Sequence, residues 1–139
     1  MPNLFESIDA AGKAFWNIAT LYGFSRKEQC FLLAQPLNRV RMTQMENAKK
    51  IPDSEFGFAV AEELSLIHKM LWNLYPHVSK EDPQFKYKTT WFHRKNEMLD
   101  NVSPIAYAMA TNRQVAGLQH IRSQLELHVQ SQNQPQADA

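Results

Sequence analysis

An all-α fold is the class this sequence predicts, on three observations. Apolar residues recur at i, i+3 and i+4 along several windows, the spacing of one helix face. Serines at 25 and 103 stand just ahead of such windows, where a side-chain oxygen can take the first unpaired amides of a helix. Only four of the 139 residues are glycine, which suits helices better than a turn-rich β fold. With 44% hydrophobic and 11% aromatic residues, the chain can support one domain with a real core, or two very small ones sharing a core.

The first helix is expected over about Phe5 to Tyr22. Phe15, Ile18, Ala19 and Tyr22 fall on one face, and Gly23 is a natural stop. Ser25 opens the second helix, and Glu28 three residues later completes a reciprocal Ser-x-x-Glu capping box. Phe31, Leu32 and Leu33 are expected to bury this helix against the first, with its end near Gln35 and Pro36. A third helix, about Leu37 to Lys49, is polar and basic. Two short helices with the second polar outline a helix-turn-helix unit.

Pro52 and Asp53 start the longest helix, to Leu74, on the stripe Val60, Leu64, Ile67, Leu71 and Leu74, widened by Met70 and Trp72. Tyr75-Pro76 ends it. Residues 79–88 read as a polar connector with at most a short helix. Another helix is expected around Thr89 to Lys95, then a loop from Asn96 to Asn101. Ser103 is a good N-cap and Pro104 a good first-turn residue for a short helix to about Ala110. The last helix, about Arg113 to Val129, buries Val115, Leu118, Ile121, Leu125 and Val129. These elements divide the chain into a helix-turn-helix region (1–51), a connecting long helix (52–78), a helical region (79–130) and a polar tail (131–139).

The net charge is +1, so no global field announces nucleic acid. Locally, residues 26–50 are basic through Arg26, Lys27, Arg39, Arg41, Lys49 and Lys50. Residues 80–95 are basic again, through Lys80, Lys86, Lys88, Arg94 and Lys95. Such excesses are more often solvated helix faces than phosphate-binding patches. Within the third helix, Asn38, Arg39, Arg41, Gln44 and Lys49 are the candidate DNA-binding residues, for base edges or phosphates.

Catalytic constellations find no support. No two of the five histidines have the i, i+4 spacing of a helical zinc site, and one cysteine cannot build a thiolate site. Adjacent Glu62 and Glu63 diverge on a helix. There is no Gly-rich phosphate loop and no Gly-x-Ser-x-Gly elbow. Cys30, among Phe31, Leu32 and Leu33, reads as a buried structural thiol. The expectation is a non-enzyme without metal or cofactor. With no apolar run of membrane length and no basic-then-apolar leader, a soluble cytoplasmic protein is expected.

The order of motifs resembles the Xre/MbcA/ParS-type antitoxins of bacterial RES-domain toxin–antitoxin pairs, over about residues 10–127. AFWNIATLYGFSRKEQCFLLAQP is similar to that family's Xre-like opening, and AEELSLIHKMLWNLYP to its long helix. Trp91, Asn96, Ser103-Pro104 and Gly117-Leu118 resemble its toxin-binding region. The resemblance implies an Xre-like helix-turn-helix half joined by a long helix to a small toxin-binding half. It implies a homodimer that occludes an NAD-consuming RES-type toxin and can bind its own promoter DNA. Trp91, Asn96, Ser103 and Pro104 would shape the toxin-binding module, with Leu118, Arg122 and Leu125 at or behind the interface. The stretch PLNRVRMTQM lacks the family's tryptophan, so toxin binding is implied more than sequence-specific DNA reading. A DNA-binding regulator without a toxin, and an adaptor for another protein, are the alternatives. Occlusion predicts that protection is lost when the segment after about Asn112 is deleted.

Overall fold

A computed structural model describes residues 5–52, 54–74, 81 and 83–133. Seven α-helices follow one another in these residues: α1 (Ile8–Tyr22), α2 (Arg26–Leu32), α3 (Arg39–Ala48), α4 (Glu55–Leu74), α5 (Pro83–Thr89), α6 (Pro104–Thr111) and α7 (Gln114–Asn133). Two 3₁₀ turns, Trp91–His93 and Glu97–Leu99, lie between α5 and α6. The one β-type pairing among the described residues is an isolated bridge between Asn96 and Val102. The all-α expectation holds.

Local signals set most helix ends. In α2 both halves of the capping box form: Glu28 N–H donates to Ser25 Oγ at 3.1 Å, and Ser25 N–H to Glu28 Oε1 at 2.8 Å. Gly23 closes α1 in the left-handed region at φ 69°, where a Cβ is disfavoured. Ser103 caps α6 and Pro104 opens it. Three starts differ from expectation because a polar side chain claims the amide first. Ser7 Oγ accepts from Ala10 N–H, so α1 starts at Ile8 rather than near Phe5. Asn38 Oδ1 accepts from Arg41 N–H, which leaves Leu37 outside α3. Ser54 Oγ accepts from Gly57 N–H ahead of α4, while Asp53 lies outside the described residues.

The helix expected over 89–95 does not form. Thr90 Oγ1–H donates to Lys86 O at 2.9 Å, and α5 stops at Thr89. Such side-chain bonds to the backbone compete with continuing a helix. At the other end, α7 continues four residues past Val129. The ending of α4 at Tyr75-Pro76, most of the 79–88 connector's first half and the tail beyond 133 lie outside the described residues.

The stripes converge on a single core. Phe15, Trp16, Ile18, Ala19 and Tyr22 of α1 join Val60, Leu64, Ile67 and Leu71 of α4. Leu118, Ile121 and Leu125 of α7 belong to the same cluster. Helix α4 is the spine, packed against α1 and, more extensively, against α7. The described helices on either side of α4 therefore share one core. Two close approaches fix the geometry. A Cβ on Gly12 would stand 2.5 Å from the Lys49 carbonyl, so α1 passes directly against the end of α3. There Trp16 Nε1–H donates to Lys50 O at 2.7 Å. Gly117 lets α7 meet α6, since its Cβ would lie 3.3 Å from Ala108 Cα.

Candidate functional site

The residues singled out around the C-terminal helices sort into caps and core. Asn96 Oδ1 accepts from Met98 N–H at 3.0 Å, and Ser103 Oγ from Ala106 N–H at 3.3 Å. Trp91, Pro104, Leu118 and Leu125 are buried. They set the position of α7, and of the four Trp91 and Leu125 border a cleft. Arg122 is a cross-brace. Its Nε donates to Glu63 Oε1 of α4 at 2.5 Å, and its Nη1 to Glu126 at 2.6 Å. The hydrogen bond that Arg122 donates to Glu63 is the main cause that raises the Arg122 pKa. At the start of α7, Gln114 is also engaged, donating to Phe31 O of α2 at 2.9 Å.

What α7 leaves outside is a different stripe, including His120, Ser123 and Leu127. Leu127 is 59% exposed. Tyr107 of α6 stacks on His120, with ring centroids 5.3 Å apart. Leu127 was not singled out by sequence reasoning. One residue per turn outside the buried set Leu118, Ile121 and Leu125 was the available signal.

Beside this stripe, a cleft of about 300 Å³ is lined by Tyr87, Trp91, Arg94, Lys95, Asn96, Glu97, Met98, Leu125 and His128. Three of the expected site residues, Trp91, Asn96 and Leu125, line it. Arg94 is held in place: its Nε donates to Thr90 Oγ1 at 3.1 Å and its Nη2 to Tyr87 O at 2.7 Å. Its guanidinium carbon sits 3.7 Å from the centre of the Tyr87 ring, a favourable cation–π geometry.

The second candidate surface is α3. Met42 is its one fully buried side chain, and Leu37 and Val40 on its N-terminal side are 60% and 70% exposed. Arg26 ties the helix to α2 through Glu46 at 2.7 Å and Thr43 at 3.1 Å. A broad groove of about 650 Å³ runs along it, lined by Asn38, Val40, Arg41, Gln44, Met45, Ala48 and Lys50. Arg39, Arg41 and Gln44 are exposed, and Lys49 is half-buried at the left-handed C-cap. Asn38 differs from expectation, because its carbonyl oxygen is occupied by the cap.

The basic stretch over 80–95 is not one surface. Lys88 is fully buried, its Nζ 3.7 Å from the centre of the Trp72 ring. Trp72 also packs on His68, whose Nδ1 is 2.9 Å from the Tyr22 hydroxyl. Burial pushes the Tyr22 phenol well above its usual range. Burial, and then the Lys88 charge, lower the His68 pKa. Both groups stay neutral near pH 7, so Tyr22 O–H can donate to His68 in a closed polar joint between α1, α4 and α5.

A lowered folded-state pKa means that the unfolded chain binds the proton more tightly. The His68 contribution is therefore present above the unfolded pKa, near 6.5, and is lost as pH falls through the folded value. Urea unfolding at pH 5 and pH 7 is expected to show a pH penalty that His68→Gln reduces. Equal pH dependence in the two proteins would remove His68 from the account.

Among the described residues, no group of three His, Cys, Asp or Glu side chains could hold a metal ion. Cys30 is buried. No helix in those residues is long and apolar enough to cross a membrane. Comparison with protein-family models, curated proteins and solved structures finds no match.

Proposed function

We propose that this chain is a non-catalytic helical binding protein, an antitoxin that holds and occludes a RES-type toxin. One observation supports the partner-binding part most directly. Asn96, Ser103, Pro104, Gly117, Leu118 and Leu125 act together to seat α7 on the core with Leu127 turned outward. A rigid helix presenting an apolar side chain needs little ordering on binding, which favours affinity. The identity of the toxin class rests on the order of motifs from Trp91 to Leu125.

The test is co-expression of the chain with a RES-type toxin encoded beside it. The wild-type chain is expected to co-purify with the toxin and restore growth. Leu127→Asp is expected to weaken that association at least about tenfold, the scale of losing one well-packed anchor, with helicity unchanged. A wild-type chain that neither holds the toxin nor protects cells overturns the proposal.

The α3 geometry supports a second reading, a DNA-binding regulator. It presents Arg39, Arg41 and Gln44 on a helix that buries one side chain. Binding to promoter DNA would weaken steeply with salt and would fall on Arg39→Ala with Arg41→Ala. Absence of any promoter complex at low salt, with or without the toxin, rejects it. In either reading a homodimer remains a proposal, tested by the mass of the purified protein in solution.

A further inference from the structure

We propose that the cleft between α5, the two 3₁₀ turns and α7 is a receptor for one acidic side chain, with an adjacent apolar residue, on the partner polypeptide. The inference rests on the partner-binding reading above and names the chemistry that the partner would bring.

The arginines of the fold show why. Arg26 has Glu46, and Arg122 has Glu63 and Glu126. Both are consumed in joining helices. Arg94 is half-buried and equally immobilised, but by neutral groups: the Thr90 hydroxyl, the Tyr87 carbonyl and the Tyr87 ring. No carboxylate among the described residues pairs with it. Its Nη1 makes no hydrogen bond among those residues, and Arg94 is part of the cleft lining. An arginine held in this way has lost its side-chain entropy before a ligand arrives, and its planar fork matches a carboxylate.

The rest of the lining agrees with that ligand. Lys95 adds a second positive charge, and Glu97 is the one acidic group in the wall. Trp91, Met98 and Leu125 supply an apolar floor. About 300 Å³ accommodates a carboxylate and one aliphatic neighbour, at the lower limit of ligand-sized clefts. A basic rim over an apolar floor selects an amphipathic acidic segment over a purely acidic one. Leu127 lies one residue before His128 of this lining, so a partner on the outer face of α7 would reach the cleft.

The experiment is an NMR titration of the full 139-residue chain with capped dipeptides. N-acetyl-leucyl-glutamate amide is expected to shift the Lys95 to Met98 amides and the Trp91 indole N–H. The glutamine counterpart is expected to bind at least about tenfold more weakly, the scale of a lost charge-assisted hydrogen bond. Arg94→Gln should abolish the difference between the two peptides. Arg94→Lys, which keeps the charge and loses the fork, should retain a part of it and serves if the Gln variant does not fold. N-acetyl-leucine with a free terminal carboxylate distinguishes the sources: tighter binding of that compound than of the glutamate peptide overturns the side-chain assignment. Equal binding of the glutamate and glutamine peptides overturns the site altogether. A toxin that binds Arg94→Gln as tightly as wild type also overturns it, and leaves the antitoxin reading standing. A wild-type chain that holds no toxin but still docks the glutamate peptide has the opposite meaning.

Discussion

A chain ending at Asn112 is expected to lose its cooperative fold, not just a contact with a partner. The deletion removes all of α7 and with it Leu118, Ile121 and Leu125, each at most 1% exposed. Cutting one such side chain to alanine costs about 2–5 kcal/mol. Three together approach the whole stability of a domain this size, about 5–15 kcal/mol. The face of α4 that α7 covers would also be left in water. Far-UV circular dichroism and thermal melting check this. A truncated chain with a sharp transition near the wild-type midpoint would show that the core does not depend on α7. Loss of protection by this truncation therefore does not establish occlusion, and Leu127→Asp is the informative substitution.

Arg122→Ala is expected to destabilise the protein by about 2–3 kcal/mol. Removing one partner of a buried ion pair strands the other charge, a loss of about 3–5 kcal/mol when both are fully desolvated. Here the Glu63 side chain is 8% exposed but Arg122 is 26% exposed, so water reaches the pair and the loss is smaller. Replacing both partners by leucine should recover most of it, because no buried charge remains. Urea unfolding of the three proteins gives the comparison. A single variant within about 0.5 kcal/mol of wild type, the range of ordinary surface substitutions, would remove the brace. The same series separates two roles for Arg122. A residue used only to contact the toxin would lower toxin binding and leave unfolding unchanged.

Much of the local structure was legible in the residues. Ser25 with Glu28, Gly23, and Ser103 with Pro104 act through atoms within four positions of one another, so their effect does not depend on the rest of the fold. The stripes of α1, α4 and α7 were legible for a similar reason, since periodicity alone tells which side faces a core. Starts were misplaced where a competing cap, Ser7 or Asn38, sat inside a window that looked helical throughout. The stop at Thr89 was missed because threonine is judged by spacing in a sequence and by its hydroxyl bonds in a structure.

The candidate site was less legible. Asn96 is a cap, and Trp91, Leu118 and Leu125 are buried; a residue that shapes a surface and one that forms it look alike in a string of letters. Lys88 was counted with its basic neighbours, yet it lies beneath Trp72, sixteen positions away. What the sequence determined by itself is the all-helical class, the caps and the buried stripes, all set by interactions between near neighbours. The tertiary structure alone decided that Glu63 meets Arg122 across 59 positions, that Trp16 meets the Lys50 carbonyl, and that Arg94 pairs with no carboxylate among the described residues. Burial and charge pairing depend on which helices come together, and no local spacing contains that information.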